Sequence, residues 1–254
     1  MKELERYWHR KFDELALLDI PEWQRSSWRH IRFVNDQRKY LEYNLNRHHS
    51  GDLDKTVVAD LGCGPGLYMD LILEKGGLAL GLDFSLETLK RNHYSGDRRI
   101  LGLIGGEISN LPLKQNTLDV ALLFGVLQTA DNPCEYLLNV SKAMKPGGMF
   151  LMTTLRQHSI WELPFWPLYM LLAHGYYPDV KSGGSELIRS REILFPMGQD
   201  EKSQILKRYK KNQLKRWLNK CGFHKIHFSY DNPGALLPHI DYNSIMIYVK
   251  AYKK

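Results

Sequence analysis

Cysteine is scarce in this chain: Cys63, Cys134 and Cys221 are the only three in 254 residues, far apart and without a CxxC pair. That spacing supplies neither the paired thiolates of a structural zinc site nor a disulfide framework, and it fits a reducing, cytoplasmic setting with no bound metal. Long apolar runs are missing too. The longest apolar region, Ile160 to Leu172, is too short and too rich in proline and tryptophan to cross a bilayer as a helix. The N-terminus, MKELERYWHRKFDEL, is charged throughout and lacks the apolar centre of a signal peptide, so secretion is not expected. No internal repeat and no low-complexity tract is visible. Acidic residues are outnumbered, 28 to 35, and the resulting net charge of +7 permits attraction to nucleic acid, anionic lipid or an acidic substrate without choosing among them.

What is present is enough apolar sequence, 43%, for one sizeable core. Residues 1–50 read as an N-terminal helical cap of two helices, 3–18 and 26–47, separated at Ile20-Pro21. Residues 51–254 read as one α/β domain. Its first strand, Thr56 to Asp60, is apolar enough to be buried on both faces. A helix follows Gly66, then a strand LALGLD, then a helix with Ser85 as N-cap. Two successive βα units imply a parallel sheet with right-handed crossovers. RILGLIGG and LDVALLFGVL supply strands three and four, a helix spans 133–144, and KPGG reads as a turn into strand five, MFLMTT. Residues 202–220, with eight Lys or Arg, read as one amphipathic basic helix, and the tail as a long-looped antiparallel hairpin. Residues 156–200 form an aromatic-rich insertion that fits neither pattern.

The stretch VVADLGCGPG, Val57 to Gly66, runs from a buried strand into a loop with Gly62, Gly64 and Gly66 at alternate positions. Glycine there permits backbone angles and close approach that a β-carbon forbids, and it brings main-chain amides close to a ligand. The spacing is not the G-x-G-x-x-G of dinucleotide sites, which leaves a dehydrogenase only as a remote reading. Asp60 ahead of the loop would repel a pyrophosphate but can accept from an ammonium group or orient the loop. The segment resembles the first motif of class I S-adenosylmethionine-dependent methyltransferases, and further marks follow in order. They are Asp83 ending strand two, GGEISNLPL, NTLDVALLFGVLQTADNP and LLNVSKAMKPGGMFLMTT. More narrowly the chain resembles the ubiquinone/menaquinone-type small-molecule branch.

The resemblance implies a Rossmann-like fold with a seven-stranded, mostly parallel sheet in the order 3-2-1-4-5-7-6, strand seven antiparallel. It implies S-adenosyl-L-methionine as cofactor, held by Asp60, Gly62, Cys63, Gly64 and Gly66, with Asp83 at the ribose hydroxyls and Phe84 also in the cofactor site. Glu107 would lie near the adenine amino group, in place of the family's usual aspartate, Ile108 would also border the cofactor, and Phe124, Gly125 and Gln128 would line it after strand four.

Methyl transfer is an in-line displacement, so positioning dominates and catalytic side chains are few. A hydroxyl or phenol acceptor gains from a base, for which His158, after strand five, is the first candidate and His239, in the hairpin loop with Asp241 and Tyr242, the second. A packing or surface role is the plain alternative for either. Trp161, Phe165, Trp166 and Tyr169 in the insertion, with Tyr242, are candidates for contact with an apolar acceptor; the insertion reads as a cap or substrate lid, and alternatively as an interfacial membrane contact. The expected function is methylation of a small, apolar or aromatic acceptor. The competing readings are an RNA or protein methyltransferase using the basic helix, and a non-catalytic cofactor-binding protein. Oligomeric state is not legible.

Overall fold

The computed structural model describes residues 28–48, 51–90, 96–157, 192–195, 204–230 and 246–254. The candidate residues His158, Trp161, Phe165, Trp166, Tyr169, His239 and Tyr242, and the helix expected at 3–18, lie outside them.

Seven strands form one sheet: β1 (Val57–Leu61), β2 (Leu78–Asp83), β3 (Ile100–Gly105), β4 (Leu118–Phe124), β5 (Met144–Leu155), β8 (Phe223–Tyr230) and β9 (Met246–Lys253). Their order is β3-β2-β1-β4-β5-β9-β8. The first five are mutually parallel, and β9 runs antiparallel to both β5 and β8. Counting the sheet strands in chain order makes β8 the sixth and β9 the seventh, which reproduces the expected 3-2-1-4-5-7-6. Two further short strands, β6 (Glu192–Phe195) and β7 (Gln204–Lys207), pair with each other in a separate antiparallel ribbon.

Helices cover both faces of the sheet, as buried parallel strands require. On one side lie α1 (Trp28–Arg47) and α2 (Met69–Glu74), where Leu41, Leu45, Met69 and Ile72 pack on Val58, Val120, Leu122 and Leu151. On the other lie α4 (Pro133–Ala143) and α5 (Lys211–Lys220), where Leu137, Val140, Leu214 and Leu218 pack on Leu123, Phe150 and Val249. Between β2 and β3 the short α3 (Leu86–Lys90) starts as expected, with Thr88 N donating to Ser85 Oγ at 3.2 Å. No helix among the described residues is long and apolar enough to cross a membrane.

Two expectations are corrected. KPGG is not a turn that precedes strand five: β5 begins at Met144, and the register against β4 jumps between Leu118 and Val120, so Lys145 to Gly148 form a bulge inside the strand. The bulge carries Lys145 to Asp119, whose carboxylate it meets at 2.8 and 2.9 Å while Asp119 Oδ2 also accepts from Val57 N. One acidic side chain thus ties the starts of β1, β4 and β5 together.

The basic segment 202–220 is not one helix. Residues 204–207 are strand, and the helix begins only at Lys211. Tyr209 breaks the helical path: its N–H donates to Leu155 O, and its carbonyl accepts from Gln157 N, at 3.0 and 2.9 Å. Its hydroxyl donates to Leu127 O. Pairing at the end of β5 wins over helical periodicity there because it satisfies both main-chain groups in a buried position.

Candidate active site

The glycine loop leaves β1 at the carboxyl end of the parallel strands, where ligands of open α/β sheets bind. Gly62, Gly64 and Gly66 all have positive φ, 86°, 52° and 92°. At Gly62 the need is also steric, because a β-carbon would stand 2.3 Å from Cγ2 of Val126, just beyond β4. Gly62→Ala is therefore expected to destabilise the fold by about 2 kcal/mol, from left-handed strain plus overpacking. Urea unfolding measures it; a loss no larger than that of an exposed alanine substitution would contradict the packing argument.

The loop's amides are turned inward. Gly62 N and Cys63 N both donate to Leu82 O at 2.7 and 3.0 Å, Gly66 N donates to Cys63 O, and Gly64 N donates to Asp83 Oδ2 at 2.9 Å. The sequence suggested amides presented to a ligand; instead they hold the loop's own shape. Cys63 is buried, and its sulfur lies where a β-carbon on Gly81 would meet it at 2.9 Å, so its side chain packs between strands and only its backbone borders the loop. Burial, with Asp60 and Asp83 nearby, holds its thiol well above the ordinary range.

What the cradle offers is acceptors. Asp60, 1% exposed, has an Oδ2 with no hydrogen-bond partner among the described residues. Burial first, and then Asp83, raise its carboxyl to about 7. Asp83, 7% exposed, accepts from Gly64 N through Oδ2 and from Ser85 N through Oδ1, both at 2.9 Å. A buried carboxylate with an unmatched lone pair is costly unless a donor arrives. The site therefore suits a cationic, hydroxyl-bearing ligand and disfavours a pyrophosphate.

The other anticipated residues fall around this cradle. Phe84 is half-buried after β2, and Ile108 is buried in a short helical turn, Ile108–Asn110, after β3. Glu107 is exposed and accepts from Ser109 Oγ at 3.1 Å. Phe124 ends β4, and Gly125, with φ of 69°, follows it. Gln128 is 6% exposed, with a long 3.4 Å contact to Thr154 Oγ1. Among the described residues no group of three or more His, Cys, Asp or Glu side chains is placed to hold a metal ion.

The helix α1 adds residues that the motifs did not point to. Tyr68 OH, just past the loop, donates to Gln37 Oε1; Gln37 Nε2 donates to Thr153 Oγ1 at 2.6 Å; and Gly125 N donates to the same Thr153 Oγ1 at 3.0 Å. A buried polar chain thus joins the loop after β1 to the loop after β4 through α1. Arg38 forks onto both Asp70 oxygens and also donates to Leu67 O. Tyr68 stands edge-on to Phe124 at 5.2 Å. Burial and Asp60 push the Tyr68 phenol upward, so it stays a donor across neutral pH. The available signal was Gln37 itself, a polar residue on the same stripe as Leu41, Asn44 and Leu45.

Parts of the chain are similar to known proteins. A family model described as "Methyltransferase domain" matches residues 59–152. A malonyl-[acyl-carrier protein] O-methyltransferase of Hamiltonella defensa is 30% identical over 114 residues, 45% of this chain and 43% of that protein. A demethylmenaquinone methyltransferase of Corynebacterium kroppenstedtii is 34% identical over 91 residues, 36% of this chain and 38% of that protein. A tRNA U34 carboxymethyltransferase of Pseudoalteromonas atlantica is 31% identical over 130 residues, 49% of this chain and 40% of that protein. The chain thus spans about two fifths of the length of the curated relatives it matches. An S-adenosylmethionine-dependent methyltransferase structure from Mesorhizobium loti aligns with TM-score 0.55 at 20% identity, over 80% of this chain and 93% of that one, a likeness of fold. Residues 59–152, with the loop, the two acids and the strand order around them, form a class I S-adenosylmethionine-dependent methyltransferase domain.

Proposed function

We propose that the protein transfers a methyl group from S-adenosylmethionine to a small, apolar or aromatic acceptor. The observation that carries the cofactor half is the unmatched Asp60 Oδ2 beside the cradle. It would accept from the ammonium of the methionine end. Asp83, at the end of β2 beside the loop, is the carboxylate that would accept from a vicinal diol. When bound, the cofactor supplies a methyl on a sulfonium, whose charge vanishes on transfer. The chain's part is to orient: Asp60 and the loop at one end, Asp83 at the ribose, and Phe124, Gly125 and Gln128 lining the cofactor after β4.

The acceptor half rests on Trp161, Phe165, Trp166 and Tyr169 in the aromatic-rich segment before β6, together with Tyr242. His158 and His239 are the proposed bases if the acceptor is a hydroxyl. A second reading, RNA methylation, draws on the exposed Lys210, Lys211, Lys215, Arg216 and Lys220, and on the relative that acts on tRNA. It is weakened because Lys207 is committed to Ala130 O, and Arg208 Nε to Arg156 O.

The test is transfer of labelled methyl into a cell extract, partitioned into organic, RNA, protein and polar fractions. Label is expected in the organic fraction, and Trp166→Ala is expected to raise acceptor KM with cofactor affinity unchanged. Label in RNA overturns the acceptor class, and no label despite cofactor binding overturns the enzyme.

A further inference from the structure

A second concave surface lies away from the methyl-transfer cradle. An open groove of about 510 Å³ runs between the C-terminal half of α1 and the outer strands β8 and β9. Tyr43, Asn44 and Arg47 line it from the helix, and His227, Lys250 and Tyr252 from the strands. Arg47 is ten residues beyond Gln37 on α1, which sets it about 15 Å farther along the helix axis. Its Arg47 end is therefore remote from the loop that Gln37 supports, while Tyr40 at the inner end has its ring 6.2 Å from that of Phe124.

Its chemistry is selective. None of the described lining residues is a carboxylate. The Arg47 guanidinium sits 4.0 Å from the Tyr43 ring centroid, and Lys250 Nζ 5.6 Å from that of Tyr252. Neither cation makes a hydrogen bond or an ion pair among the described residues. Two cations held over aromatic faces, with their donors still unspent, suit a ligand that brings anionic oxygens and a flat ring together. A simple carboxylate would leave the rings unused, and an apolar ligand would leave the cations stranded. A nucleotide uses both.

The surroundings favour a strand over a single nucleotide. The groove opens along β8, which is the edge of the sheet. Beyond it Lys211 Nζ lies 5.5 Å from the Phe228 ring centroid, and Lys225 is exposed. Cations thus stand on both faces of the edge strand, Arg47 and Lys250 on the α1 side and Lys211 on the α5 side, so a backbone that passes over the edge meets cations on either face.

We propose that this groove binds a segment of single-stranded nucleic acid, with phosphates at Arg47 and Lys250 and a base stacked at Tyr43 or Tyr252. The site goes beyond the methyl-transfer reading and does not depend on it.

The test is fluorescence anisotropy of a labelled short oligouridylate with the full chain, over a series of salt concentrations. Binding is expected, with Arg47→Ala/Lys250→Ala weakening it about tenfold and reducing the log–log salt slope by about 1.4, two phosphates' worth on a single strand. Tyr43→Ala is expected to weaken it about tenfold through lost stacking, with a smaller change in salt slope. Thermal melting of each variant, unchanged from the parent, shows that the fold is intact, and S-adenosylhomocysteine affinity reads the cradle separately. No binding by the parent, or equal binding by the double variant, overturns the proposal. So does binding of free uridine monophosphate that the oligonucleotide does not displace, or binding only to anionic lipid vesicles.

Discussion

S-adenosylhomocysteine should bind about tenfold more weakly for each pH unit below about 7, and Asp60→Asn should abolish that dependence. In the ligand-free protein Asp60 titrates near 7, because burial and the neighbouring Asp83 both oppose its charge. The ligand's ammonium needs the carboxylate, so binding below that value must first expel a proton. The sign for stability is opposite. The folded value lies above the ordinary 3.8, so stability of the free protein is full below about pH 4 and falls as pH rises through 7. Asparagine removes the charge, so at pH 8 the variant should be more stable than the parent and bind about thirtyfold more weakly, the usual cost of deleting one partner of a buried ion pair. Calorimetric titration from about pH 5.5 to about 8.5, with urea unfolding in parallel, reads both. A merely structural aspartate would lose stability on substitution and leave the binding profile unaltered, and that outcome would defeat the assignment.

The sheet was legible because its strands are short apolar runs punctuated by glycine or by capping residues, and local pattern decides such elements. The same locality explains the two errors. KPGG carries a turn signature, but the Lys145–Asp119 contact that bends it into a bulge links residues 26 apart. Residues 202–220 have helical spacing, but pairing of 204–207 with 192–195, and of Tyr209 with the end of β5, overrides it. At the site, Asp60, Asp83 and the glycines could be picked out because a short motif concentrates them. The spent amides and the Gln37 chain could not, since each bond joins segments that only the fold brings together.

Gln37→Ala should destabilise the protein by about 3 kcal/mol, against about 1 kcal/mol for Arg38→Met on the same helix. Arg38 has the better-looking interaction, a bidentate pair with Asp70, yet its side chain is 29% exposed and that of Asp70 26%. Water recovers much of what that pair loses. Gln37 is 1% exposed, and its removal leaves the Tyr68 hydroxyl buried without its acceptor, takes a donor from Thr153 and opens a cavity. Thr153→Val should cost about 2 kcal/mol, because Gly125 N loses a side-chain acceptor while keeping Thr153 O at 3.2 Å. In the double variant the two losses should fall short of their sum by about 1 kcal/mol, since each single change already breaks the same link. If the chain through α1 holds the cofactor loop in register with the loop after β4, Gln37→Ala should also weaken S-adenosylhomocysteine binding, and Arg38→Met much less. Urea unfolding and calorimetry on the four proteins of the cycle test this; strict additivity, with ligand affinity unchanged in Gln37→Ala, would reduce Gln37 to a packing residue and leave the two loops independent.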